Sequence, residues 1–237
     1  MLLNPSENQE VQKMSNTQVI IAALNEEEGI GLTITEMMDV LDNPQVIVVD
    51  GKSTDRTSEI AKNLGATVAI QEGKGKGDAF AKALQSIGDE TEYVVITDAD
   101  FTYPAEYVPK MIELLKAYPD VGMVCGNRLT GNVDPEALHR VFSFGNRLIA
   151  FAHNILNGIQ LEDPLTGLRV VRANVLRDWK VKSKGFDIEV ELNHYVEQKG
   201  YEIVEVPIHY RPRLGEKKLG VRNGFEILKR MVLETSF

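Results

Sequence analysis

Short apolar runs rich in β-branched residues alternate with amphipathic stretches along the first hundred residues. Val19–Leu24 and Gln45–Val49 are the first two runs, and Ala66–Gln71 and Tyr93–Thr97 follow. Runs of this length bounded by polar turn residues predict buried strands. Between them, Asn25–Gly29 leads into an amphipathic helix reaching about Leu41. Gly51-Lys52-Ser53-Thr54-Asp55 makes a turn in which Ser53 or Thr54 is placed to cap a helix running to Leu64. A Gly-Lys-Gly-Lys-Gly loop at 73–77 precedes a helix from Asp78 to Ile87. Strands alternating with helices at this spacing predict a mostly parallel sheet covered on both faces.

After Asp100 the alternation loosens. Pro104–Ala117 reads as a helix, Gly122–Gly126 as a strand and Arg140–Leu156 as a long apolar-rich helix. Leu168–Arg172 and Glu202–Val206 read as further strands. Val221–Leu233 closes the chain as an amphipathic helix, with Phe225, Leu228 and Val232 spaced for one face. No repeat and no linker interrupts this order. The polar start, Met1–Asn16, carries Glu7 and Glu10 and is expected to be a disordered arm. Residues 17–237 then read as a single domain.

Composition narrows the classes. The 237 residues are 43% hydrophobic and 26% charged, which is globular, and the net charge of −9 argues against a nucleic-acid partner. The single cysteine, Cys125, excludes an internal disulfide, fits a reducing cytoplasm and reads as a small core residue. No apolar run is long enough to cross a bilayer. From His209 to Arg230, seven Lys or Arg against two Glu make a basic segment suited to phosphate or an anionic membrane surface.

The densest chemistry is Thr97-Asp98-Ala99-Asp100, directly after the fourth apolar run. Two carboxylates one residue apart at the carboxyl edge of a sheet lie where α/β folds keep ligands. Their hard oxygens suit Mg²⁺ or Mn²⁺ holding a substrate's phosphates; a solvated strand-end turn is the plainer alternative. Glu26 and Asp50 follow earlier strands and share that edge, where carboxylates accept bonds from ribose hydroxyls or a base N–H. Helix capping by Glu26, Glu27 and Glu28 is the competing reading. The glycine-lysine loop offers N–H groups and ammonium charge to phosphates, or is only a flexible turn. Glu162-Asp163-Pro164-Leu165-Thr166-Gly167 holds a candidate general base, Asp163, or a plain Asp-Pro turn. Arg211, Arg213, Lys217 and Lys218 surround Pro212 and Gly215, as a phosphate-closing loop or a solvated charge run. His139, His153, His194 and His209 have no metal-ligand spacing.

In order, Ala22-Ala23-Leu24-Asn25-Glu26-Glu27, Val48-Val49-Asp50-Gly51-Lys52-Ser53-Thr54-Asp55, Gly73–Ala79, Asp98-Ala99-Asp100, Gly126-Asn127-Arg128, Asp163–Arg169 and Glu205–Leu219 resemble the inverting family 2 glycosyltransferases of the GT-A fold. The nearer resemblance is to polyprenyl-phosphate sugar transferases of the dolichyl-phosphate mannose synthase type and their archaeal branch. It covers about residues 18 to 220.

That resemblance implies transfer of a hexose from a UDP-sugar or GDP-mannose to a polyprenyl (dolichyl) phosphate. It assigns Ala22, Leu24, Glu26, Asp50, Lys76, Asp98 and Ala99 to the nucleotide, with Asp100 and Asp98 at a Mg²⁺ or Mn²⁺ ion. Asp98, Asp100, Asp163, Arg128, Arg140 and Arg213 become the catalytic set, and Thr166, Gly167, Arg211 and Lys218 the acceptor side. The chain departs from the family at Ala22 (usually Pro), Gly51-Lys52 (Asp-Gly), Thr102 (Gln, a metal ligand) and Lys217 (Ser).

A phosphate acceptor is already ionised near neutrality and needs no base, whereas a sugar hydroxyl acceptor would call on Asp163. That second acceptor class, and a non-catalytic nucleotide-sugar sensor, are the alternatives. Val141, Phe142, Phe144, Leu148 and Ile149, with Arg140 and Arg147, suit either an interfacial helix or a core helix. The expected location is cytoplasmic, peripheral on the cytoplasmic membrane face, with a homo-oligomer left open.

Overall fold

The computed structural model describes residues 16–130, 161–185 and 187–216, together with Lys229. The arm before Asn16, the Arg140–Leu156 helix, Lys217, Lys218 and, apart from Lys229, the closing helix all lie outside the described residues.

The apolar runs form strands as their patterning predicts. β1 (Thr17–Ala23), β2 (Gln45–Asp50), β3 (Thr67–Ile70) and β4 (Tyr93–Asp98) alternate with α1 (Ile30–Val40), α2 (Thr57–Asn63) and α3 (Lys76–Leu84). A 3₁₀ turn (Ala105–Tyr107) leads into α4 (Val108–Ala117), then β5 (Val121–Asn127), β6 (Arg169–Arg172), α5 (Ala173–Leu176), α6 (Ile188–Gln198) and β7 (Glu202–Pro207). The seven strands of the described residues lie in the order β3-β2-β1-β4-β6-β5-β7. β1 to β4 are mutually parallel, β6 runs antiparallel to both β4 and β5, and β7 runs parallel to β5.

Every core strand buries both faces, and the period of two divides its side chains between two apolar layers. Val19, Ile21, Val48 and Val95 pack with Ile30, Ile34 and Met37 of α1 and Met111 and Leu115 of α4. Ile20, Val49, Val94 and Ile96 pack on the other side with Phe80 and Ala83 of α3 and Leu192 and Val196 of α6. Each of the Val, Leu, Ile, Met and Phe side chains among them, fully buried, contributes about 1.5–3 kcal/mol.

Three details differ from the sequence reading. The sequence reading has no helix at α5 or α6: α6 buries Glu189, Glu191 and Asn193 along with Ile188, Val190 and Leu192, an alternation that imitates a strand. Neither Ser53 nor Thr54 caps α2; Asp55 does the equivalent, accepting the Thr57 N–H at 3.0 Å and its hydroxyl at 2.5 Å. Helix α3 begins at Lys76, two residues early. The glycines before it have a packing reason: Gly75 has φ 84°, and a Cβ there would collide with the Lys184 carbonyl.

Cys125 sits at 1% exposure in the middle of β5. Burial pushes its thiol up to about 12. At pH 8 roughly one native molecule in 10⁴ therefore carries the reactive thiolate. Iodoacetamide is expected to leave Cys125 unmodified in native protein and to alkylate it once denaturant is added. Because the unfolded thiol ionises near 8.5, stability should also fall as pH rises from about 9 towards 12. Rapid native-state labelling would contradict the packing.

Candidate functional site

The chain fills the sheet outward from β1 through β2 to β3, then returns to place β4 on the other side of β1. Ligands of α/β sheets bind at the carboxyl ends of strands where the order reverses in this way. The register brings Ala22 opposite Asp98, and Ala23 opposite Asp50, at that edge. Asn25, Lys52 and Phe101, in the turns after β1, β2 and β4, all have left-handed φ values of 48°, 68° and 64°. Non-glycine residues held there store backbone strain, and such strain gathers at functional sites.

The β1 and β2 turns are stitched together by side chains. The Asn25 N–H donates to Ser53 Oγ at 2.8 Å, the Thr54 N–H to Asn25 Oδ1 at 2.8 Å and the Glu26 N–H to Thr57 Oγ1 at 2.8 Å. Asp50 is 2% exposed, and its oxygens accept from the Ser53 N–H (2.8 Å), the Ser53 hydroxyl (2.6 Å) and the Ser58 hydroxyl. Its carboxylate thus organises its own turn. Leu24 is exposed while Ala99 is buried.

Asp98 and Asp100 face different partners. Lys76, from the first position of α3, donates to Asp98 Oδ1 at 2.7 Å and to Glu189 Oε1 at 2.6 Å. Burial disfavours the ammonium, but the two carboxylates outweigh it and hold Lys76 protonated well above its ordinary range. For Asp98 burial likewise works against the charge, and Lys76 reverses the balance, leaving its pKa lowered. Asp100 accepts from the Thr102 hydroxyl at 2.7 Å and from Arg213 at 2.9 Å. Burial and then the neighbouring charge of Asp98 push its pKa up.

Arg213 also pairs with Glu26, so Glu26 meets a guanidinium rather than capping α1. The chain after β7 is fastened across β4's turn by backbone bonds from Arg211 to Thr102 (3.0 Å) and Leu214 to Asp100 (3.1 Å). The Arg211 guanidinium turns away, into a two-pronged pair with Glu36 of α1 at 2.9 and 3.1 Å, stacked over Phe101.

A second cluster lies beside the first. Arg128, just beyond β5, grips Asp163 with Nε and a terminal nitrogen, both at 2.7 Å, and its backbone N–H adds a third bond at 2.9 Å. Arg128 keeps its charge despite burial because Asp163 opposes the desolvation. Its guanidinium lies over the Tyr210 ring, which stands edge-on to Tyr103. The Tyr103 hydroxyl accepts the Gly167 N–H at 2.7 Å. Gly167 joins the two clusters: a Cβ there would lie 2.9 Å from the Asp98 carboxyl carbon and 2.9 Å from the Tyr103 ring. Thr166 is fully buried.

One edge thus gathers Glu26, Lys76, Asp98, Asp100 and Arg213, with Arg128, Asp163 and Gly167 alongside. Arg140 and Lys218 lie outside the described residues. Sequence reasoning missed Glu189, Glu36 and Tyr210. Nothing in their spacing marks them, although Tyr210 borders the basic segment.

Residues 18–179 match the family described as glycosyl transferase family 2. A dolichyl-phosphate hexose transferase of Haloferax volcanii is 38% identical over 204 residues, 85% of this chain and 85% of its own length. An undecaprenyl-phosphate mannosyltransferase of Micrococcus luteus is 30% identical over 84% of this chain and 86% of its own. Glucosyl-3-phosphoglycerate synthase of Mycobacterium tuberculosis, solved with Mg²⁺ and UDP, superposes with a TM-score of 0.74 at 20% identity, covering 93% of this chain and 79% of that one. That likeness shows a shared GT-A fold. With the family pattern spanning its first six strands and the acidic edge between them, the chain belongs to glycosyl transferase family 2.

Proposed function

We propose that this glycosyltransferase moves a hexose from a nucleoside-diphosphate sugar to a polyprenyl phosphate, inverting the anomeric centre. The observation that carries the reading is the Asp98–Asp100 pair at the switch point, opposed by Lys76 and Arg213 and flanked by Arg128. An acidic pair ringed by buried cations suits a cation-bound diphosphate leaving from one side and a phosphate arriving from the other. The two relatives above bear names of lipid-phosphate transferases.

Among the described residues no three His, Cys, Asp or Glu side chains gather into a protein-only metal site. Two carboxylates are nevertheless the donor set expected for Mg²⁺ or Mn²⁺ that takes its other oxygens from phosphates. The guanidinium on Asp100 supports the fit, since a cation is already accommodated there. Asp98 and Asp100 would hold the ion, which when bound neutralises charge on the departing diphosphate. Thr102 steadies Asp100 through its hydroxyl where the family usually places Gln. Lys76 would steady Asp98 and the donor phosphates, and Arg128 and Arg213 the phosphate charges on either side. Glu26, Asp50, Leu24 and the backbone of Ala22 and Ala99 would frame the nucleoside, and Thr166 and Gly167 the acceptor side.

A polyprenyl phosphate, its second pKa being about 6, attacks as an ionised oxygen and needs no proton removed. The state of Asp163 agrees with this. Both its oxygens accept Arg128 donors, which orients the carboxylate at a guanidinium rather than at an incoming hydroxyl. No described helix is long and apolar enough to cross a membrane. We place the enzyme at the cytoplasmic membrane face, where nucleotide sugars and lipid phosphates meet.

Nucleoside diphosphate release from a panel of UDP- and GDP-sugars, with Mn²⁺ or Mg²⁺ and with or without a short polyprenyl phosphate, tests the proposal. Release that depends on the lipid phosphate is expected, and UDP is the expected leaving group. Donor binding without lipid-dependent turnover would overturn the lipid acceptor and make Asp163→Asn, assayed on sugar hydroxyls, the next variant.

A further inference from the structure

The turn that carries Asp163 has no regular secondary structure, yet side chains from three elements hold its backbone. Glu205, on β7, accepts the N–H of Glu162 at 2.8 Å and the N–H of Asp163 at 2.8 Å. Arg169, on β6 and 1% exposed, donates to the carbonyls of Thr166 (3.0 Å) and Pro164 (2.8 Å). Asn193, on α6, adds a bond to the Pro164 carbonyl at 3.1 Å. The N–H groups of Glu162 and Asp163 therefore meet a carboxylate, and the carbonyls of Pro164 and Thr166 meet a cation, the charge-assisted assignment that holds backbone groups most strongly.

What the turn presents, so held, is the Asp163 carboxylate aimed at Arg128. We propose that Glu205 is a positioning residue for Arg128. It fixes the Asp163 backbone, Asp163 fixes the guanidinium through two side-chain bonds, and the guanidinium is left facing one way over Tyr210. On the reading above, on which this last link rests, that orientation decides how well the acceptor phosphate is received. Glu205 touches no reacting atom.

The register supports this use of the residue. Glu205 pairs with Cys125 in the β5–β7 ladder, two residues before Asn127 and three before Arg128. Asn127 in turn donates from Nδ2 to Glu162 at 3.0 Å. The two strands grip the same turn from both sides, so a displacement at Glu205 is delivered to Arg128 rather than absorbed by a free loop.

Glu205→Gln is the informative change. The amide keeps one acceptor oxygen but sets an NH₂ against a backbone N–H, donor facing donor, at nearly unchanged volume. Two readouts are needed. In ¹⁵N-arginine spectra, with the resonance assigned by Arg128→Lys, the Arg128 Nε–H should exchange slowly with solvent in the unaltered protein. In Glu205→Gln that exchange should quicken by about tenfold or more. In turnover with a short polyprenyl phosphate, the acceptor KM should rise about tenfold, with kcat and donor affinity within about twofold. In an Arg128→Lys background the same change should alter KM by less than about twofold, since the residue acts through Arg128.

An unaltered exchange rate would overturn the proposal, as would a tenfold KM effect that persists in the Arg128→Lys background. A lowered melting temperature with unchanged KM and unchanged exchange would show a purely structural residue. If the protein does not turn over polyprenyl phosphate at all, the acceptor reading fails alone. The exchange measurement still decides whether Glu205 orients Arg128.

Discussion

Asp100→Asn is expected to cut nucleoside diphosphate release by about 10²–10³-fold, the range seen when a charge-stabilising group is removed from an active site. Folding should barely change. Asp100 is buried beside Asp98, and both burial and that neighbouring charge push its pKa up, so the ionised group burdens the folded state. Asparagine removes the repulsion and can keep the bond from Thr102, while Arg213 retains Glu26. A melting temperature within about 3 °C of the unaltered protein, or slightly higher, follows from that balance. The combination is diagnostic, because a residue kept for stability would show the reverse. Turnover within tenfold of normal in Asp100→Asn would remove this carboxylate from the mechanism. Asp100→Ala should be as inactive but less stable, since it also abandons the Thr102 hydroxyl.

The strands that build the acidic edge were legible because their β-branched runs are short, continuous and bounded by turns, as strands buried on both faces must be. Tyr93–Asp98 and Gln45–Asp50 came out within a residue of their expected bounds. Each of Glu26, Asp50, Asp98 and Asp100 ends or follows a parallel strand, which is why the sequence places all four at the carboxyl edge where the structure has them. Pairing was less legible. Nothing local tells Arg169–Arg172 to insert antiparallel between β4 and β5, since that choice is made by residues far apart in the chain. Helix α6 was hidden because its early turns bury charged side chains alongside apolar ones.

Partners were the least legible of all. The basic segment after β7 reads as one patch, yet the structure separates its two described arginines: Arg213 enters the acidic edge and Arg211 is spent on Glu36. Glu36 is an ordinary helix-surface residue in the sequence, and only the crossing of the chain after β7 brings it near. Lys76 is a similar case. Its loop reads as a flexible phosphate cradle, but the ammonium lies between two carboxylates, one of them 113 residues away.

That buried ammonium carries the largest expected effect on stability. The Lys76 side chain is 10% exposed and Glu189 is 9% exposed, while Asp98 keeps about a third of its surface open at 32%. Solvent therefore screens the Asp98 contact in part, and the Glu189 pair bears most of the cost when the cation is removed. Deleting one partner of a buried ion pair typically costs about 3–5 kcal/mol, because the remaining charge has neither water nor counter-ion. In a chain of this size each kcal/mol is worth roughly 2–4 °C, so Lys76→Met should melt about 10 °C lower. Adding Glu189→Gln should recover a large part of that loss, because the second change removes the stranded charge. Recovery is the decisive sign: two independent destabilisations would add instead. Turnover should remain low in the double variant, since Asp98 still lacks its ammonium. A Lys76→Met protein that melts within about 3 °C of normal would mean that Lys76 is solvated rather than locked between Asp98 and Glu189, and the charge arrangement at this edge would have to be redrawn.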